Sequence, residues 1–166
     1  MHLEEFFDYK NTLMGDLLTE EDIVRLINEY AVEDASSLAY RQVFPYEFLP
    51  DTVQEGKTYI CFDVDIRKSA DNGKNYIPTI SIWVFTHKSL MRLPEGGVRV
   101  DKICSLISRK LNGSFWYGRG ELDLESVKRF APMTDYQGKC MVFLTKDVSK
   151  VYEPTKKIPS NRRDGV

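Results

Sequence analysis

The sequence predicts an α+β fold: an antiparallel or mixed sheet of about four strands in two hairpins, flanked by N-terminal helices and one central helix. Three observations predict it. Apolar residues recur at helical spacing over the first thirty positions and again from Val100 to Leu111. They alternate with period two in two pairs of segments, one pair on each side of the second helical stretch. Glycine, proline and asparagine cluster where one period gives way to the other.

The helical reading of the N-terminal part rests on Phe6, Leu13 and Leu17 and then on Ile23, Leu26, Ile27 and Tyr30. Thr19 followed by Asp22 approximates a capping box between the two runs. Prolines bound the segment Val43-Phe44-Pro45-Tyr46-Glu47-Phe48-Leu49-Pro50 and disfavour helix before them, so it reads as extended chain. Its three aromatics imply packing on the sheet or an interface. Ile60, Phe62, Val64 and Ile66 then share one strand face, with Cys61, Asp63, Asp65 and Arg67 on a second, wet face. A polar connection from Ser69 to Asn75 containing Asn72-Gly73 leads to Ile77–His87, where Ile80, Ile82 and Val84 alternate with Ser81, Trp83 and Phe85. These two strands form the first antiparallel hairpin.

Pro94-Glu95-Gly96-Gly97 breaks the chain, and Val100, Ile103, Cys104, Ile107 and Leu111 follow as the buried stripe of a helix closed by Asn112-Gly113. From Glu121 to Pro132 a strand carries Leu122, Leu124, Val127 and Phe130, and its change of parity implies a bulge near Glu125 or Ser126. The turn Thr134–Gly138 feeds a last strand, Lys139–Val148, with Cys140, Val142 and Leu144 on one face and Met141, Phe143 and Thr145 on the other. Residues 1–153 thus read as one domain and 154–166 as a flexible basic arm with Lys156, Lys157, Arg162 and Arg163.

Composition limits the function classes. At 166 residues one core can bury about two thirds of the unfolded surface, and 42% apolar, 12% aromatic and 29% mixed charged residues argue against wholesale disorder. The longest unbroken apolar run, Cys140–Leu144, is far too short to span a bilayer, which predicts no membrane partner. Glu4, Glu5 and Asp8 stand where a signal peptide needs positive charge, which predicts a chain that stays in the cytoplasm that made it. Cys61, Cys104 and Cys140 are widely spaced and read as reduced thiols. A net charge of −2 gives no general argument for nucleic acid. Its distribution is uneven, however: residues 1–50 hold 11 acids against Lys10, Arg25 and Arg41, whereas the remainder holds 20 bases against 14 acids. That pattern reads first as two differently solvated faces, and it also suits head-to-tail contacts between copies.

Residues for catalysis are few. Asp63 and Asp65 share a strand face and, with His87, form the best set for a divalent metal and a small metal-dependent nuclease. Alternating aspartates are ordinary on a wet strand, and three ligands without supporting groups fall short of a metal centre. His2 adds nothing to them. Glu121, Asp123 and Glu125 before Lys128 have the wrong spacing for a nuclease strand. The segment Gly113–Gly120 contains no phosphate-binding fingerprint, but Trp116 and Tyr117 with Arg119 suit either base stacking or, better, a protein interface. The expectation is therefore a protein that is not an enzyme and needs no cofactor, with interface residues Phe44, Tyr46, Phe48, Trp116, Tyr117 and Arg119.

Several strings resemble a family of neck and tail-completion proteins encoded by tailed phages and prophages of Gram-positive bacteria. They are Val43-Phe44-Pro45-Tyr46-Glu47 with Pro50, Glu55-Gly56-Lys57, Val84-Phe85-Thr86-His87-Lys88, Arg92-Leu93-Pro94-Glu95-Gly96-Gly97-Val98-Arg99 and Phe130-Ala131-Pro132-Met133-Thr134-Asp135-Tyr136-Gln137-Gly138-Lys139. The order of helices and strands is also similar to that of tail terminators. The resemblance implies a tail terminator-like fold and a virion subunit, made in the host cytoplasm, that closes into a ring, usually of six. Its implied partners are further copies of itself, the tail tube protein, the head connector or stopper protein and, if the tail contracts, the sheath protein. Genome DNA would be passing cargo only. A head-completion or stopper protein of the same neck is the nearest alternative.

Overall fold

A computed structural model describes residues 4–28, 34–49, 56–68, 75–118, 120–145 and 149–150. The first helical run forms α1 (Glu4–Thr19) and α2 (Glu21–Ile27), and the central stripe forms α3 (Arg99–Leu111). The strands are β1 (Val43–Phe44), β2 (Thr58–Lys68), β3 (Asn75–His87), β4 (Leu122–Met133), β5 (Tyr136–Thr145) and β6 (Ser149–Lys150). Five of them lie in the order β1-β2-β3-β5-β4, and β6 pairs with the start of β3. The class is α+β with a mixed sheet. β1 runs parallel to β2 and the other pairs are antiparallel.

Both expected hairpins form, and β3 against β5 joins them into one sheet. The expected count of about four strands omits β1 and β6, each of two residues, which exist by long-range pairing and carry no periodicity. The second hairpin is tighter than the expected turn: Met133 pairs with Tyr136, leaving Thr134 and Asp135 to turn the chain. The register shift between Leu124 and Ser126 is the bulge anticipated from parity, and a second follows between Phe130 and Met133.

The helices cover one face of the sheet. Leu13, Leu17, Ile23, Leu26 and Ile27 are buried, as are Val100, Ile103, Cys104, Ile107 and Leu111, so the helical stripes lie inward as spaced. They pack on Ile60, Phe62, Val64, Ile80, Ile82, Val84, Met141 and Phe143. α1 lies over β2, while α3 lies over β3, β5 and β4. Tyr30 lies outside the described residues.

The Thr19–Asp22 capping box does not form. Thr19 closes α1 and its hydroxyl donates back to Gly15 O at 2.8 Å, while α2 starts after Glu20 without a side-chain cap. Long-range groups instead satisfy the C-terminal end of α2. Buried Gln42 donates through Nε2 to Ile27 O and to Thr58 O, both at 3.0 Å, and Arg99 donates through Nη1 to Leu26 O at 2.6 Å. The guanidinium and the amide thus meet Leu26 O and Ile27 O, carbonyls that a helix end leaves unpaired. At the end of α3, Gly113 takes φ +82°, the conformation expected of a glycine there. Asn112 Oδ1 accepts from Leu124 N at 2.8 Å, tying the helix end to the start of β4.

The second face of the sheet is not simply wet. Phe44, Tyr59, Cys61, Phe85 and Tyr136 are buried there, with Phe48, Trp83, Phe130 and Met133 packed against them. Phe44 stacks on Phe48 with ring centroids 4.0 Å apart. Alternation correctly places Cys61 opposite Ile60, but the 43–49 segment and the second hairpin cover that end. Asp63 and Asp65, further along β2, stay half-exposed and exposed.

Candidate assembly surfaces

The register takes the expected metal set apart. Thr58 pairs with Thr86, and His87 N donates to Lys57 O, so His87 stands at the open end of the hairpin, whereas Asp63 pairs with Ser81 midway along it. Six residues of strand correspond to about 20 Å. Asp63 is engaged otherwise: its carboxylate pairs with Lys10 at 2.5 Å and accepts from Val64 N at 2.8 Å. His87 Nδ1 lies 2.7 Å from Ser89 Oγ and starts a short 3₁₀ turn, Lys88–Leu90. Among the described residues no three histidine, cysteine or acidic side chains gather closely enough to hold a metal.

The aromatic loop after α3 divides in two. Trp116 is 76% exposed and its neighbour Phe115 67%. Tyr117 is fully buried, so the expectation that it meets a partner is corrected. Its hydroxyl donates to Asp16 Oδ2 at 2.7 Å, and its ring lies against Tyr9. Burial first, and then Asp16, push the Tyr117 hydroxyl pKa up strongly, which keeps it a neutral donor. Arg119 and the arm residues Lys156, Lys157, Arg162 and Arg163 lie outside the described residues.

The Pro-bounded segment is likewise split. Phe44 is buried and Phe48 partly buried within the chain's own aromatic cluster, so both act as a sheet cover and not as free interface. Only Tyr46 of the three is exposed. Lys10 Nζ holds this segment by donating to Pro45 O at 3.0 Å.

Other surfaces were not singled out by the sequence. Phe7, in α1, is 71% exposed, with exposed Glu4 and Asp8 on the same side of the helix. Its signal was available: the Phe6, Leu13, Leu17 stripe turns Phe6 inward and leaves Phe7 outside it. At the opposite edge of the sheet, β4 presents exposed Val127, Lys128 and Arg129. A groove of about 390 Å³ lies between the start of α3 and the β4–β5 hairpin, with Met91, Val98, Val100 and Arg129 among its walls. A second hollow of about 330 Å³ shares Asp101 and Lys139 with it and has Cys104, Leu124, Val127 and Met141 in its lining. Asp101 and Lys139 pair at 3.2 Å. Arg129 has no carboxylate partner among the described residues.

These features define an α+β protein with helices on one side of a mixed sheet, an aromatic cover on part of the other, and chemically distinct surfaces at its two edges. The chain belongs to the YomW family, whose model matches residues 17–145. That family name is of the style given to Bacillus prophage proteins and suggests a phage-related protein. No curated protein matches the chain. No helix among the described residues is long and apolar enough to cross a membrane.

Proposed function

We propose that this chain is a tail terminator: a non-enzymatic virion subunit whose copies form a ring, of six by analogy with such proteins, that caps the tail tube and joins it to the head connector. The observation that carries the reading is the placement of unlike surfaces at opposite edges of one sheet. An acidic helix with a protruding Phe7 lies towards the β1–β2 edge, and a groove whose Arg129 has no carboxylate partner among the described residues lies along the β4 edge. A subunit built this way can repeat one contact around a circle, because each copy offers two different halves of it. Exposed Trp116, Phe115 and Tyr46 leave further aromatic surface for other partners, in keeping with interfaces rich in aromatics. On this reading the tail tube protein and the connector or stopper protein bind the ring, a sheath protein joins them if the tail contracts, and DNA only passes through.

A phage or induced prophage carrying a nonsense codon in this gene supplies the test. The reading expects separate heads and tails to accumulate, and purified protein added to that lysate to restore joined particles. Complete particles without the protein would contradict it. Capped heads that bind added protein while the tails do not would move the chain to the stopper position.

A further inference from the structure

We propose that Phe7 of one copy seats in the groove between α3 and the β4–β5 hairpin of the next copy, with Glu4 and Asp8 meeting Arg129. This deepens the ring reading and takes from it only the identity of the occupant, a second copy of the chain.

Three observations carry the pairing. First, Glu4, Phe7, Asp8 and Asn11 are all exposed, at the i, i+3, i+4, i+7 spacing by which a helix enters a groove. The result is an apolar knob with a carboxylate on either side, and neither Glu4 nor Asp8 has an ion-pair partner among the described residues. Second, the groove complements that knob. Met91, Val98 and Val100 give it apolar walls, and Val98 is 42% exposed at the start of α3. Asp101, the acid in its lining, is balanced by Lys139, so Arg129 is the charge there with no ion-pair partner among the described residues. Third, the alternative contact at this edge is blocked. β4 carries two register shifts, Pro132, and adjacent Lys128 and Arg129, which are features that prevent addition of another strand. A side chain entering the groove avoids the irregular edge.

The positions also suit propagation. α1 lies over β2, and the groove lies beyond β5 at the other side of the sheet. Knob and groove of one copy are therefore both free to engage different neighbours, which is the requirement of a heterologous contact.

The experiment places the photoreactive analogue benzoylphenylalanine at position 7 of the full chain and mixes that chain with isotopically labelled chain. Irradiation is carried out with and without phage tails, and crosslinked peptides are read by mass spectrometry. The proposal expects crosslinks from position 7 to Met91, Val98 or Val100 of the other copy. Arg129→Glu should reduce their yield about tenfold, and Asp8→Arg in the photoreactive chain should restore it against the Arg129→Glu partner. Both substituted positions are exposed, and unchanged melting temperatures verify that the variants fold. Crosslinks to any other surface, no interchain crosslink in either sample, or a yield indifferent to Arg129→Glu would overturn the proposal. Binding to tail ends with crosslinks elsewhere would defeat this contact alone, whereas the expected crosslinks without tail binding would defeat the neck reading alone.

Discussion

The Tyr117 hydroxyl donates to the Asp16 carboxylate across 2.7 Å and fastens the loop after α3 to α1, 101 residues away in sequence. A hydrogen bond to a charged group contributes about 1.5–3 kcal/mol when well buried. Asp16 is only partly buried, which lowers that figure. Tyr117→Phe should therefore destabilise the fold by about 1 kcal/mol, measured by urea unfolding. Tyr117→Ala should cost about 3–5 kcal/mol, because it also empties a fully buried site.

Alkaline pH should weaken the fold through the same tyrosine and two others. Burial, followed by Glu5, pushes the Tyr9 pKa up to about 12, and burial, followed by Tyr136, pushes Tyr59 up to about 12. Raised folded values mean that the folded state holds its protons more tightly than the unfolded chain, whose tyrosines titrate near pH 10. Their stabilising contribution is full below about pH 10 and is lost as pH rises through the folded values. These tyrosines should add no pH dependence to the melting temperature near neutrality and should make it fall above about pH 10, with Tyr59→Phe blunting the fall.

Gly138 allows β5 to lie close against β3. A Cβ placed there would come 1.9 Å from Val84 O and 2.6 Å from Phe85 Cα, both backbone atoms of a central strand. Gly138→Ala should destabilise by more than about 4 kcal/mol or prevent soluble expression, a severity tied to steric overlap with backbone. Near-native thermal unfolding of that variant would show that the two strands separate easily.

The aromatics of the 43–49 segment should differ sharply. Phe44 is buried and stacked on Phe48, so Phe44→Ala should cost about 3–5 kcal/mol in denaturant unfolding. Tyr46 is 45% exposed, and Tyr46→Ala should cost less than about 1 kcal/mol while any effect on assembly remains to be read separately. Equal costs would contradict the division of this segment into cover and surface.

The sequence made the local features legible. Spacing alone identified the inward stripe of α3, the parity of β2 and β3, and the bulge near Glu125, because each depends on neighbours within a few residues. Long-range pairing was not legible. Nothing local announces that Val43 and Phe44 lie parallel to Ile60 and Cys61, or that Arg99 reaches the end of α2. For the same reason Tyr117 looked like a surface aromatic beside Trp116: consecutive loop residues take opposite environments only because α1 lies over the loop. The Asp63, Asp65 and His87 set fails on register, which holds His87 beside Lys57, about six residues of strand from Asp63. Of the proposed assembly surfaces, Phe7 could have been found from helical phase, whereas the α3–β4 groove arises only from tertiary packing.

On the proposed reading, the chain works by forming a fixed ring at one end of a phage tail. The most direct measurement counts gold-labelled protein on purified tails that lack it, using electron microscopy. The account predicts label at one end of each tail, at a constant number of copies, with Arg129→Glu reducing occupancy. Label spread along the tail in no fixed number, or absent from tail ends, would contradict it.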